Sequence, residues 1–553
     1  MEFVMKKLGS ESGFTMMIFL ALLLMLTLIG INSVMTSTTE VDIAGNELNR
    51  QNAFYAAEAG LELATAEIAN HYEKYGTPPN PLPTGTIRLE DHDVTYSTRQ
   101  TTGPSQKTLT NGAYNGLYAL ATGYEITSTA TRDGTDASVT LLQEVESDLV
   151  PLFQFAVFYE EDLEIAPGPQ MTLGGRVHSN GDLYLQSGNS LIMESYTTAA
   201  GSIYHGRKDG SGQSVSSGDV VIVDAEGDYE DMYQDGYWLD SDVSDWVAES
   251  ISRWGGKVED ESHGITKLDL PVVSSGVADN MIATSGESAD SYENKATLKI
   301  VNGVALYQQA DGTWIDVTAN LQAEGSITTS TFYDAHQSTW VDSYDIDLSN
   351  FKSSSYFPTN GIVYTANESA GNLKATRLVN GSDVGSALTV ASKNSLYIQG
   401  DYNTVNKQAC AVLTDALTVL SNNWDDSRSA QSLNNRNATE TTVNCSYMTG
   451  NQNTGESGSS YNGGFENLPR FLERWSGIDF NWKGSAVDLW LSKEATMPWS
   501  YGSYYTAPNR NWEFDTDLLD PANLPPGTPL IALLQKVGWK EAVAEEMTIS
   551  DGS

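Results

Sequence analysis

The order in which charge gives way to oil near the N-terminus constrains this chain more than anything else in it. Lys6 and Lys7 precede the polar peptide Ser10-Glu11-Ser12-Gly13, and from Phe14 an almost unbroken apolar run extends to about Met35. As a helix rising ~1.5 Å per residue, such a run crosses a hydrocarbon layer of ~30 Å, with Lys6 and Lys7 holding the leader on the cytoplasmic side. A secretory signal places its small cleavage residue after the apolar stretch, whereas Gly13 lies before it. No proline interrupts Phe14 to Gly76, and Ile43, Leu48, Phe54, Ala57, Leu61, Ala64 and Ile68 recur at three- and four-residue steps, giving one apolar stripe. A continuous helix of about sixty residues would be ~90 Å long, far more than a bilayer needs, so its outer half is expected to pack on a globular head.

Thr77-Pro78-Pro79-Asn80-Pro81 stops that helix, because proline removes backbone donors and clashes with a helical turn. The segments 86–89, 94–98, 118–129 and 137–145 alternate as strands, with Arg132-Asp133-Gly134 as a turn. They predict a small antiparallel sheet against the helix. The fold class expected is α+β: a long N-terminal helix on a small sheet over 77–150, then a large mainly-β region over 151–553. In that region short strands are punctuated by corners such as Ser179-Asn180-Gly181-Asp182, which suits a β-solenoid or a sandwich, although no fixed period is visible. Phe465, Leu468, Phe471, Leu472 and Trp475, with Glu466, Arg470 and Glu473 between them, predict a short amphipathic helix near 465–475 with a salt-bridged face.

Ser12-Gly13-Phe14-Thr15 resembles the type III signal of type IV pilins and type II secretion pseudopilins; a plain single-pass anchor is the alternative on these four residues alone. Ile43-Ala44-Gly45-Asn46 followed by Ala53-Phe54-Tyr55-Ala56-Ala57-Glu58-Ala59-Gly60 resembles the signature of PilX-like minor pilins, over residues 13 to about 70. The resemblance implies a leader over 1–13, cleavage after Gly13 by a prepilin peptidase, N-methylation of Phe14, and a helix over 14–76 whose part 14–35 spans the membrane and assembles. Ala44, Gly45, Asn46, Phe54, Ala57, Glu58 and Ala59 carry the signature. The partners implied are other major and minor pilins or pseudopilins, the peptidase and an inner-membrane assembly platform. The location implied is the inner membrane before assembly and the pilus or cell surface after it. Major pilins carry Glu at the fifth mature position, where this chain has Ile18. A subunit with no neighbour above it needs no such Glu, so Ile18 suits the filament tip or priming complex; tolerated variation is the plainer alternative. Gly123-Tyr124-Glu125-Ile126-Thr127-Ser128 resembles the final hairpin of a pilin head, and the segments 171–185, 387–403, 414–427 and 461–475 are similar to the large C-terminal regions of PilX-like proteins.

Composition narrows the function. With 72 acidic against 30 basic residues the formal charge is -42, which repels nucleic acid. The acids leave carboxylates to spare for Ca2+, but no EF-hand ladder occurs and no cofactor is expected. Cys410 and Cys445 admit either one disulfide or two small buried residues on neighbouring strands. His178 with Asp182 or Asp162 is the one catalytic candidate, and a turn histidine explains it better. No nucleophile elbow, phosphate loop or paired-acid motif occurs, so the chain reads as no enzyme. The leading expectation is a low-copy structural subunit at a filament tip. Two alternatives are a surface adhesin that binds polysaccharide or a surface through the β-rich region, with a tip adhesin or an extracellular glycan as partner, and a tethered carbohydrate-active enzyme.

Overall fold

A computed structural model describes residues 11–110, 114–134, 138–270, 277–455 and 461–542. Most of the expected leader, with Lys6 and Lys7, lies outside the described residues. From Glu11 to Tyr75 runs one helix, α1, of 65 residues, about 98 Å long at ~1.5 Å per residue. It ends where Gly76 adopts φ +61 and donates its N–H to the Tyr72 carbonyl at 2.8 Å, a left-handed cap that residues with a Cβ rarely adopt.

Five strands follow: β1 (Thr84–Leu89), β2 (His92–Gln100), β3 (Ser105–Thr108), β4 (Tyr118–Arg132) and β5 (Ser138–Pro151). They form an antiparallel sheet in which β1, β2, β4 and β5 are neighbours in that order and β3 pairs with β4. Alternation puts Val94, Tyr96, Tyr124, Ile126, Val139 and Leu141 on the face that α1 covers with Ala53, Ala57, Leu61, Ala64, Ile68 and Tyr72. The sheet has two more strands than expected, β3 and one that arrives from much later in the sequence. Leu530–Glu541, from the far end of the chain, pairs antiparallel with β5 from Leu530↔Pro151 to Glu541↔Leu141, with a bulge between Lys536 and Gly538. The expected span 151–553 is corrected accordingly: the β-rich extension is an insertion between two adjacent strands of the head. Trp539 against the Phe54 ring (5.8 Å between centroids), Arg50 to Glu541 at 2.9 Å, and Lys536 to Glu62 fasten the returning strand to α1.

The extension is built from short parallel strands stacked in register. Val157, Val177 and Thr197 pair one above another, as do Leu163, Leu183 and Ile203, and Met171 with Leu191 and then Val220. Each turn of chain contributes three strands at nearly right spacing, and all nine of these inward side chains are buried. Corners are tied turn to turn: Asp162 Oδ1 accepts from the Asp182 N–H, and Asp182 Oδ1 from the Ser202 N–H, both at 2.8 Å. This stack continues through Ala486–Asp488 into a second one, where Ser446–Thr449, Cys410–Thr414, Leu388–Ser392 and Ile362–Ala366 pair in parallel. A second face of that stack runs through Thr339–Asp347, Leu373–Val379, Ser395–Gln399, Leu417–Leu420 and Arg470–Phe471, and a third through Thr441–Asn444, Asp479–Gly484 and Asn509–Phe514. The helix Trp246–Trp254 closes one end, burying Trp246 and Trp254. One hydrophobic core runs without a break from Leu117 and Val150 of the head into these stacks.

The helix expected near 465–475 does not form. Phe465–Asn467 is a single 3-10 turn and Arg470–Phe471 is a strand in the parallel ladder beside Leu417–Leu420. Chain buried on every side carries apolar residues at any spacing, so a helical period arose there without a helix. Its acids do not face water: Glu466 Oε2 accepts from the Ala166 N–H, and Glu473 accepts from the Ser421 N–H and hydroxyl at 2.6 and 2.7 Å.

Candidate functional site

The two halves of α1 differ in what they touch. From Phe14 to Ile43 every side chain is exposed, including Phe14 at 67%, Ile18 at 46% and Met35 at 64%. None of the apolar window is covered by the chain itself, and its mean hydropathy is 2.6. Exposing a Leu, Ile or Phe side chain to water costs about 1.5–3 kcal/mol relative to burial, so this surface requires lipid or other helices around it.

From Ala53 the same helix is seated. Ala53 and Ala57 are fully buried and Leu61 nearly so. Gly60 explains how closely the helix approaches: a Cβ there would lie 2.3 Å from Ser128 Oγ and 2.8 Å from Val94 Cγ1. Small residues at these positions are what lets the helix lie on the sheet. Lower down, the Tyr72 and Tyr124 hydroxyls meet at 2.7 Å.

The signature residues therefore divide. Ala57 belongs to the seat, Phe54 is half-buried against Trp539, Ala59 is half-buried, and Glu58 is exposed beside a pocket of about 520 Å3 between α1 and the returning strand. Ala44, Gly45 and Asn46 are exposed. A Cβ on Gly13 or on Gly45 would meet nothing within 4 Å, so no contact within the chain calls for glycine at either position.

The other sequence candidates resolve into structural roles. His178 is 2% exposed, bonded through Nδ1 to the Thr198 hydroxyl at 2.8 Å and through Nε2 to Asn180 Oδ1 at 3.0 Å, and burial pushes its pKa down to about 4. Asp162 and Asp182 tie corners instead of partnering it. Cys410 and Cys445 are both buried free thiols, so the disulfide alternative is not realised. Cys410 opens the strand Cys410–Thr414, and Cys445 immediately precedes that strand's parallel neighbour Ser446–Thr449. Burial pushes the Cys410 thiol up to about 12. Among the described residues no cluster of three or more His, Cys, Asp or Glu is arranged to hold a metal.

Sequence reasoning missed a pocket in the second stack. It is lined by His336 and Arg470, by Asn451 and Asn467, and by aromatic rings including Trp499 and Tyr505. His336 lies more than a hundred positions before the others, which come from separate segments between Asn451 and Tyr505, and no local motif joins them.

The family model of the PilX N-terminal region matches residues 12–62, the apolar run together with the start of the seat. Among solved structures, the competence-associated pilin ComZ from Thermus thermophilus aligns at 11% identity and a TM-score of 0.25, covering 89% of this chain and 98% of that one. A search of curated proteins finds no match. The match over 12–62 coincides with the helix that stands bare and then seats on a small sheet: over this segment the chain is similar to the N-terminal region of PilX-like proteins, and a large further domain follows it.

Proposed function

We propose that this protein is a low-copy minor pilin placed at the tip or in the priming complex of a type IV pilus or type II secretion-like filament. The observation that carries the reading is the bare apolar half of α1, which is continuous with the seated half and long enough to bundle with other pilin helices. The tip position is supported by the bulk of the insertion, which would crowd a shaft built from repeats of it, and by Ile18 at the fifth mature position. Before assembly the helix lies in the inner membrane; afterwards the extension stands on the pilus or cell surface. Its partners are other major and minor pilins, a prepilin peptidase cutting between Gly13 and Phe14, and the assembly platform. The role is structural, not enzymatic.

Mass spectrometry of the mature N-terminus, with and without a prepilin peptidase, tests this directly. N-methyl-Phe14 as the first residue, only when the peptidase is present, is expected. Retention of Met1 to Gly13 in both samples would leave a membrane anchor and overturn the pilin reading.

A second reading, compatible with the first, takes the stacked strands as a β-solenoid that binds a surface glycan. It is favoured by the pocket beside Trp499, where aromatic rings and unsatisfied polar groups meet.

A further inference from the structure

Packing in the second stack leaves one pocket chemically incomplete. Arg470 is 7% exposed, yet its guanidinium forms no ion pair among the described residues and reaches only the Gly450 and Ala495 carbonyls, both at 3.4 Å. Two of the nearby acids are already engaged. Asp334 accepts from the His336 and Gln337 N–H groups and from the Tyr397 hydroxyl. Asp415 accepts from the Ser492 hydroxyl and from the Lys493 and Glu494 N–H groups.

Two further groups in the pocket lack partners among the described residues. Asn451, 5% exposed, leaves Nδ2 without an acceptor, and His336, 8% exposed, leaves Nδ1 unpaired. The His336 Nε2 lies 3.0 Å from the Met497 carbonyl, which can only accept. In the neutral ring Nε2 therefore carries the proton and Nδ1 is an acceptor, and burial keeps the ring neutral by pushing its pKa down to about 4.

The free volume is about 20 Å3, room for one oxygen-sized group. Donors from Arg470 and Asn451 together with an acceptor from His336 suit a hydroxyl, which both accepts and donates; an anion would face the bare Nδ1. The rim is aromatic and held in place. Trp499 Nε1 donates to the Tyr505 hydroxyl at 2.7 Å, and that hydroxyl donates to Asn467 Oδ1 at 2.8 Å. Gly463, at φ +101, lets the chain pass where a Cβ would sit 2.6 Å from Trp499 Cδ1. Outside, Met497 and Tyr501 are 45% and 56% exposed.

We propose that this pocket is a binding subsite for a neutral saccharide, with one sugar hydroxyl entering between Arg470, Asn451 and His336 while the apolar face of the ring packs on the rim at Trp499. The assignment rests on the glycan-binding reading above and names its site. Neutral sugars are specified because a chain of formal charge -42 repels polyanionic ones.

The test uses the full chain in a zwitterionic detergent free of sugar, titrated with cello-, chito-, manno- and xylo-hexaoses and followed by tryptophan fluorescence and calorimetry. Saturable binding of one of these is expected, weakened about tenfold or more by Asn451→Ala and by Trp499→Ala, and retained by Trp499→Phe, which keeps a ring in the wall. Unchanged affinity in both alanine variants would overturn the site while leaving glycan binding in place. Absence of binding to the unmodified chain would overturn both.

Discussion

The outer and inner halves of α1 share one backbone and one helical geometry, and they differ in who covers them. Around Gly60 the head's own sheet comes so close that no Cβ fits, whereas around Gly45 there is open space. A chain that spends glycine where nothing touches it, and leaves Phe14 to Met35 bare, has left that surface for other molecules. The comparison teaches that the seated half makes the fold while the bare half adds nothing to it and, on the function proposed above, makes the assembly; substitutions can separate the two.

The largest effect expected is Leu22→Arg, which places a charge at the centre of the apolar run. It should cost about 2.5–3.5 kcal/mol of membrane insertion and shift the protein out of the membrane fraction, with the thermal unfolding of the head unchanged. Loss of head stability in this variant would break the division. Next, Gly60→Val should destabilise the head by about 1–3 kcal/mol through overpacking against Ser128 and Val94, read as a lowered midpoint in urea. Gly45→Ala, its control, should leave that midpoint within about 0.5 kcal/mol and alter only filament incorporation.

The extension sharpens the contrast through pH. Burial pushes Glu473 and Glu494 up to about 7 from an ordinary 4.5. The folded state therefore holds protons that the unfolded chain releases, so their contribution is complete below about pH 4.5 and is lost as pH rises through 7. Between pH 5 and pH 8 this loss runs against the gain from the buried neutral rings of His178 and His336, whose pKa lies at about 4, so it is read as a difference: Glu473→Gln should remove a fall in unfolding free energy on the order of 1–3 kcal/mol over that range. An unchanged pH dependence in the variant would contradict the burial of this carboxyl. Trp539→Ala should cost about 0.5–1.5 kcal/mol by removing the ring contact with Phe54. The smallest effect is expected for Arg50→Ala, whose pair with Glu541 is solvent-exposed and screened.

The sequence made the helix legible because length, absence of proline and a switch from charge to oil all point the same way. The sheet of the head was legible where side chains alternate, as in Val94 to Thr98. The returning strand was not: Lys536, Val537, Gly538 and Trp539 are all exposed at a sheet edge, so Leu530–Glu541 has no alternation beyond its first residues. The stacking of the extension left a faint trace, since Val157, Val177 and Thr197 lie twenty positions apart, as do Leu163, Leu183 and Ile203. Strands of three residues carry little pattern each, and the spacing dissolves where loops such as 206–218 intervene. The pocket was illegible because its polar groups signal through what they lack in three dimensions.

The route of the chain through the head has a mechanical meaning. The extension leaves at Pro151 and re-enters at Leu530, which are paired across the same edge, so tension on it would be shared by two neighbouring strands at one end of a ladder. The ladder between β4 and β5 would then be loaded in shear along its whole length, with its hydrogen bonds sharing the strain instead of opening one at a time. A pull on the extension would therefore fall on a ladder that runs from Leu120↔Leu149 to Thr131↔Ser138.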